Sequence, residues 1–331
     1  ADELEENIES MVLGEVPMPK PATGAKIGKI IHKPEAIDEY IKFVASTTTE
    51  RLDGLTVAFD CANGSSSRTA EKLFTSLGVN CVMLSDKPDG TNINAACGST
   101  HLENLIACVK EKKLDIGIAF DGDADRVLCV DGNGEVVDGD MIMAILALDM
   151  KARGTLKNNT VVGTIMSNLG FIRFCEANDI RFSATKVGDR YVLEEMLLED
   201  YVFGGEQSGH IIFKDFATTG DGQLSAVQLL AHIHRSGKKL AELKTVMTKY
   251  PQLIVNIRTT DAAKLAFYTD DDVRAILDEG KEKLGRRGRL VVRPSGTEPL
   301  IRIMAEGEDE AFTEAIAKQV AERIEEKLKV Y

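Results

Sequence analysis

Two periods alternate along the chain. Short apolar runs bounded by Gly, Asn or Asp recur at 56–59, 79–84, 116–120, 127–130, 160–165, 181–185 and 202–204, as buried strands do. Between them, apolar residues return every three or four positions in the stretch that runs to Leu77 and at 102–113, 141–153, 171–178, 191–198 and 223–236, as helices do. Ser65 to Ser67 are placed to cap the helix ending at Leu77, and Gly78 to close it. Residues 1–13 and 34–45 also have helical spacing, 27–31 reads as a short strand, and Pro17, Pro19 and Pro21 mark a linker. A helix is expected over 240–250, ended by Pro251. Beyond it the pattern is strand 253–257, helix 271–284, strands 290–292 and 300–305, and a long helix 309–329.

Strands alternating with helices predict an α/β chain. Two similar α/β domains with mixed, mostly parallel sheets are expected, at 25–134 and 135–249. A helix and linker precede them at 1–24, and a smaller α+β C-terminal domain follows at 250–331. In both α/β domains a later strand delivers a polar, acidic loop.

Composition narrows the function. The chain is 44% apolar and carries 40 basic against 53 acidic residues, a net charge of −13. Such a balance argues against nucleic acid, whose phosphates require a basic face. The most apolar stretch, 141–148, is far short of the roughly 20 residues a bilayer demands. Six cysteines without a C-x-x-C pair suggest a reducing, cytoplasmic setting.

Four loops carry candidate chemistry. Asp121-Gly122-Asp123-Ala124-Asp125-Arg126 lies between the runs 116–120 and 127–130. Three carboxylates at alternate positions repel unless a cation lies between them, and Mg²⁺ suits an all-oxygen set. The loop is not an EF-hand, since Arg126 and Gly132 stand where that motif needs Gly and Glu. The plain alternative is a solvated Asp-rich turn. Arg293-Pro294-Ser295-Gly296-Thr297-Glu298-Pro299, with Arg302 beyond it and Arg286, Arg287 and Arg289 before it, offers fork donors, hydroxyls and free N–H groups to a phosphate. A Pro/Gly hairpin with a basic edge is its alternative. Gly205-Glu206-Gln207-Ser208-Gly209-His210 could turn Glu206 and Ser208 toward a sugar diol, or be a plain strand–turn; His210 lacks a second histidine at zinc-ligand spacing. Lys186-Val187-Gly188-Asp189-Arg190 occupies a strand-to-helix turn, where either an anion or a simple helix cap belongs.

As a set these motifs resemble the α-D-phosphohexomutase family. Ser167-Asn168-Leu169-Gly170, Val187-Gly188-Asp189-Arg190-Tyr191 and Thr218-Thr219-Gly220-Asp221-Gly222 point to its glucosamine branch. Ala124 stands where that branch often has glycine. The resemblance implies domains 2 to 4 of a four-domain isomerase that interconverts glucosamine 6-phosphate and glucosamine 1-phosphate through a 1,6-bisphosphate and a phosphoserine. Phosphomannomutase/phosphoglucomutase chemistry and a non-catalytic phosphosugar-binding role are the alternatives. On this resemblance Asp121, Asp123 and Asp125 hold Mg²⁺ and Arg126 sits beside the transferring phosphate. Lys186, Asp189, Arg190, Glu206 and Ser208 meet the sugar, while Arg293, Ser295, Gly296, Thr297 and Arg302 grip the idle phosphate. The expected partners are the phosphosugar and the bisphosphate, with a homodimer admitted and neither nucleic acid nor membrane.

The family's phosphorylated serine stands in a Thr-Ala-Ser-His-Asn-Pro loop. None of the five histidines (His32, His101, His210, His232, His234) directly follows a serine, so no counterpart is found. The expectation is a chain lacking the first domain, with 1–13 as that domain's closing helix and no turnover of its own.

Overall fold

The computed structural model describes residues 2–295 and 298–331. Gly296 and Thr297, both expected in the phosphate loop, lie outside the described residues. The chain forms two units, Ala1–Asp38 and Glu39–Tyr331. The first holds helix α1 (Asp2–Val12) and the proline segment, and α2 (Ala36–Ser46) begins at its end. The strand expected at 27–31 does not form: Ile30 and Ile31 are exposed, and a lone apolar run without a partner strand gains no ladder.

The second unit contains three sheets. The first orders its strands β2-β1-β3-β4-β5, from β1 (Thr56–Asp60), β2 (Asn80–Leu84), β3 (Ile116–Phe120), β4 (Val127–Asp131) and β5 (Val136–Val137). β1 pairs in parallel with β2 and β3, whereas β3–β4 and β4–β5 are antiparallel. Helices α3 (Ala70–Ser76) and α4 (Glu103–Lys112) cover it. Leu105, Cys108 and Val109 of α4 pack on Ala58, Ala119 and Val130, and Phe59 stacks on Phe74 at 4.2 Å.

The next helix, α5 (Gly139–Ala152), is buried along nearly its whole length, which explains its apolar sequence without a membrane. Asp138 caps it by accepting the Met141 N–H at 3.1 Å. Among the described residues no helix is long and apolar enough to cross a membrane.

The second sheet is ordered β7-β6-β8-β9, from β6 (Thr160–Thr164), β7 (Arg181–Thr185), β8 (Phe203–Gly205) and β9 (Ile211–Phe213). Its β6–β7 and β6–β8 pairs are parallel and β8–β9 is antiparallel. Helices α6 (Leu169–Ala177), α7 (Asp189–Leu198) and α8 (Gly222–Ser236) accompany it. The helix expected over 240–250 is cut short: α9 (Leu240–Leu243) passes into a 3-10 turn at Lys244–Val246, where Lys244 is drawn to the buried Asp131 at 2.6 Å.

The third sheet, β10-β12-β11, is wholly antiparallel, from β10 (Gln252–Arg258), β11 (Gly288–Pro294) and β12 (Leu300–Gly307). Helices α10 (Asp261–Thr269), α11 (Asp271–Leu284) and α12 (Glu310–Leu328) share a core with it that includes Val273, Ile276, Ile301, Ile303 and Ile324. The pattern had suggested two helices here; α10, capped by Thr260, is a third. The architecture is thus two mixed α/β layers followed by an α+β layer.

The turn Ser167-Asn168-Leu169-Gly170 joins the second sheet to the third. Asn168 exchanges two hydrogen bonds with the Tyr250 backbone, each 3.0 Å. The Leu169 N–H donates to buried Glu306 at 2.7 Å. Arg289 meets the same carboxylate at 3.1 Å and the Ser167 carbonyl at 2.6 Å, while Arg287 lies over the Phe312 ring. Within the basic stretch before the phosphate loop, Arg289 is therefore consumed by the joint, and its reading as part of an anion patch is corrected.

Candidate functional site

In both α/β sheets the last parallel strand turns back on itself. Residues 121–126 form the tip of the β3–β4 hairpin, and 206–210 the tip of β8–β9. Tips at the carboxyl ends of parallel strands are where α/β folds place ligands. The two tips meet: Arg126 and His210 form an antiparallel bridge, and the Val127 N–H donates to the Gly209 carbonyl at 3.1 Å. Gly209 has φ +93°, and a Cβ there would lie 2.1 Å from the Val127 carbonyl oxygen, so only glycine lets the hairpins touch. Gly139, at the start of α5, packs equally close, with its N–H donating to the Gln207 carbonyl at 3.0 Å.

The acidic loop is held from three directions. From below, the Ser65 N–H donates to the Gly122 carbonyl at 2.9 Å and its hydroxyl to the Asp123 carbonyl at 2.7 Å. Ser65 thus supports this loop rather than capping a helix; it opens a 3-10 turn, and no side-chain cap forms at either neighbouring helix start. From the side, the Gly222 N–H donates to the Ala124 carbonyl at 2.9 Å. From the second sheet, buried His210 places Nδ1 3.1 Å from the Asp125 carboxylate, while its Nε2 accepts the Gly220 N–H at 3.0 Å. Since Nε2 must accept, Nδ1 carries the proton and donates to Asp125.

Ala124 adopts φ +59°, a left-handed conformation that explains why glycine suits this position. The turn folds Asp121 and Asp125 toward each other. Burial, and then the neighbouring Asp125 charge, push the Asp121 carboxyl above its ordinary range, while the Arg126 N–H donates to it at 3.2 Å. Asp123 is exposed and, with Asp125, lines a cleft of about 380 Å³ shared with Tyr40, Thr69, Asp221 and Gln223. Among the described residues no three His, Cys, Asp or Glu side chains are gathered into a metal site. The donor set nevertheless fits a hard divalent cation: the neighbouring Asp125 charge helps raise the proton affinity of Asp121, and a third carboxylate opens from the same loop.

Glu206 accepts the Gly188 N–H at 3.1 Å, so the 186–190 turn is drawn to the same place. Asp189 opens α7, its carboxylate 3.8 Å from His210 Nε2. Lys186 lies over the Tyr191 ring at 5.6 Å. Arg190 turns away to Glu194, one helical turn on, at 2.9 Å. Ser208 is exposed at the hairpin tip.

Arg293 and Arg302 stand directly opposite on β11 and β12. Ile301 and Ile303 point into the core, so both guanidiniums occupy the other face. Like charges so paired are unfavourable unless an anion joins them. Glu298 is ion-paired with Arg302, and its N–H donates to the hydroxyl of Ser295, which is buried and closes the loop. These hydrogen bonds stay within the C-terminal domain.

The structure gives Ser65, His210 and Asp221 supporting roles that their sequence positions did not suggest. Nothing local could have shown their roles, because each acts on a partner between 58 and 181 residues away.

Models of the phosphoglucomutase/phosphomannomutase family match in order: its alpha/beta/alpha domain II over residues 38–134, alpha/beta/alpha domain III over 138–250, and C-terminal domain over 254–323. A phosphoglucosamine mutase from Brevibacillus brevis is 47% identical over 329 residues, 99% of this chain and 73% of that protein. One from Acetivibrio thermocellus is 48% identical over 328 residues, with the same coverage. Among solved structures, a phosphoglucomutase/phosphomannomutase family protein from Burkholderia thailandensis superposes with a TM-score of 0.79 at 21% identity, over 99% of this chain and 70% of that one. The Aspergillus fumigatus N-acetylphosphoglucosamine mutase, solved with GlcNAc-6P and magnesium, gives a TM-score of 0.69 at 20% identity, over 86% and 69%. Hairpin tips, C-terminal loop and relatives lead to one conclusion: the chain belongs to the phosphoglucomutase/phosphomannomutase family.

Proposed function

We propose that this chain is the metal-, sugar- and phosphate-binding part of a phosphoglucosamine mutase, interconverting glucosamine 6-phosphate and glucosamine 1-phosphate through the 1,6-bisphosphate. The observation that carries this reading is the tip-to-tip contact of Arg126–Val127 with Gly209–His210, which makes one place of an acidic loop and a sugar-facing loop. The identity of 47–48% to phosphoglucosamine mutases supports the amino sugar over mannose or glucose.

Asp121, Asp123 and Asp125 would hold Mg²⁺, which when bound acts as a Lewis acid on a transferring phosphoryl group. Arg126, exposed at the tip, would meet that phosphoryl group's oxygens. Glu206 is oriented by the Gly188 N–H and keeps a second carboxylate oxygen for sugar hydroxyls. Lys186, Asp189 and Ser208 would line the rim around it, and Arg190 would join them on leaving its pair with Glu194. Arg293 and Arg302, with Ser295, Gly296 and Thr297, would hold the phosphate that does not react. One grip for either phosphate lets the bisphosphate be used in both orientations.

The test is calorimetric titration of the 331-residue chain with glucosamine 6-phosphate, mannose 6-phosphate and glucose 6-phosphate, beside a coupled mutase assay. Tightest binding of glucosamine 6-phosphate is expected; equal or tighter binding of the hexose phosphates sinks the amino-sugar assignment. These 331 residues alone are expected to bind without turnover, since no serine of theirs stands in the family's phosphoryl-accepting loop. A turnover of ~10 s⁻¹, ordinary for an enzyme, would reveal a nucleophile among them.

Arg293→Ala should weaken phosphosugar binding about tenfold or more, the effect of losing one charge-assisted hydrogen bond of ~1.5–3 kcal/mol. Mg²⁺ affinity should not change, because Arg293 is on a separate sheet from the acidic loop. Loss of both affinities together would mean that the variant had damaged the fold.

A further inference from the structure

The cleft beside the acidic loop contains a side-chain pair that the proposed chemistry does not use. The Tyr40 hydroxyl, from α2, lies 3.0 Å from each oxygen of the Asp221 carboxylate, 181 residues away. Asp221 in turn caps α8 by accepting the Leu224 N–H at 3.0 Å. Both residues line the cleft together with Asp123 and Asp125.

Asp221 sits between two backbone donors that both act on the acidic loop. On one side the Gly222 N–H holds the Ala124 carbonyl at 2.9 Å. On the other the Gly220 N–H fixes His210 Nε2 at 3.0 Å, which aims Nδ1 at Asp125. The packing leaves no slack, since a Cβ on Gly220 would fall 2.6 Å from His210 Nε2 and one on Gly222 2.5 Å from the Arg126 carbonyl oxygen. A rotation of the 220–222 segment would therefore move Ala124 and Asp125 together. Burial, then the Asp221 charge, hold the Tyr40 phenol in its protonated, donating form.

We infer that Tyr40 is a positioning residue for the acidic loop: through Asp221 it holds the 220–222 segment, and so Asp125, in the arrangement that receives a divalent cation. This rests on the reading of that loop as the cation site. Outer-shell partners of a metal site characteristically contribute about 10–100-fold in affinity.

The experiment titrates MgCl₂ into the full 331-residue chain and three variants, following heat and, separately, thermal unfolding. Tyr40→Phe keeps the ring and removes the hydroxyl, and should weaken Mg²⁺ binding about tenfold. Thr47→Val is the structural control. Thr47 ties the end of α2 to α8 through Gln228 at 2.9 Å, without touching Asp221. It should lower the melting temperature and leave Mg²⁺ affinity as it was. Asp123→Asn reads the cation site itself and should lose most binding. Unaltered Mg²⁺ affinity in Tyr40→Phe, with binding lost in Asp123→Asn, overturns this inference alone. An equal loss in Thr47→Val and Tyr40→Phe also overturns it, since the role would then be general support. A wild-type chain that binds no Mg²⁺, or an Asp123→Asn variant that binds as tightly as wild type, removes the cation reading and this inference with it. Should Tyr40→Phe fail to fold, Asp221→Asn takes its place, with weakened Mg²⁺ binding expected and unaltered binding overturning the assignment.

Discussion

Asp123→Asn is expected to weaken Mg²⁺ binding by roughly a hundredfold or more, beyond the range typical of an outer-shell partner, with little change in stability. Asparagine preserves the size of the side chain and the backbone carbonyl that accepts the Ser65 hydroxyl at 2.7 Å, so the loop keeps its support. What is lost is one of three negative charges, and affinity for a hard divalent ion depends steeply on ligand charge. Asp121 and Asp125 cannot compensate. They already crowd each other, and the Asp121 carboxyl is pushed toward its protonated form. Titration calorimetry at fixed pH measures the effect, and an affinity equal to wild type would remove Asp123 from the site.

Gly209→Ala is expected to cost about 3 kcal/mol or more of stability and to impair Mg²⁺ and phosphosugar binding together. Two terms add. A non-glycine residue in left-handed backbone costs about 1–2 kcal/mol. The new methyl would also stand 2.1 Å from the Val127 carbonyl oxygen, so the hairpin tips must separate and the bridge between them weakens. Gly237→Ala separates the two terms. Gly237 also has positive φ, at +66°, but nothing lies within 4 Å of its Cβ position. There only the backbone term applies, about 1–2 kcal/mol, and ligand binding should be unaffected. Denaturant unfolding of both variants gives the comparison; equal losses would show that tip contact contributes nothing.

The alternation of apolar runs and helical spacing made the layers legible, because each α/β sheet buries its central parallel strands on both faces. Ile116-Gly117-Ile118-Ala119-Phe120, for example, is wholly buried. Elements too short for periodicity were not legible: Ile211–Phe213 and Val136–Val137 are strands only because a neighbour supplies the ladder. The opposite error occurred at 27–31, where an apolar run lacks such a neighbour, and at 240–250, where the Lys244 ion pairs outweigh helix propensity.

The loops could be named from their chemistry, because Asp, Glu and Arg in glycine-bounded turns have few uses. Their mutual geometry could not. Three strands of the second sheet lie in the chain between Arg126 and His210, and His210, set aside as a zinc ligand, proves to be the pin between the hairpins. Arg289 shows the same limit from the other side. Its charge pattern resembled ligand binding, yet its partner is the buried Glu306.

The burial of the cysteines has a practical consequence. Burial pushes the thiols of Cys61, Cys129 and Cys175 up to about 12, which leaves almost no thiolate at neutral pH. Five of the six cysteines lie between 61 and 129, one is in α6, and the antiparallel C-terminal sheet and its helices have none. Alkylation by a thiol-specific reagent is thus a domain-resolved clock built into the sequence. At the five buried cysteines it should run slowly in the folded protein, with half-buried Cys81 faster, and report breathing of the two α/β layers separately by peptide mass, while remaining blind to any swing of the C-terminal layer about the Asn168 turn.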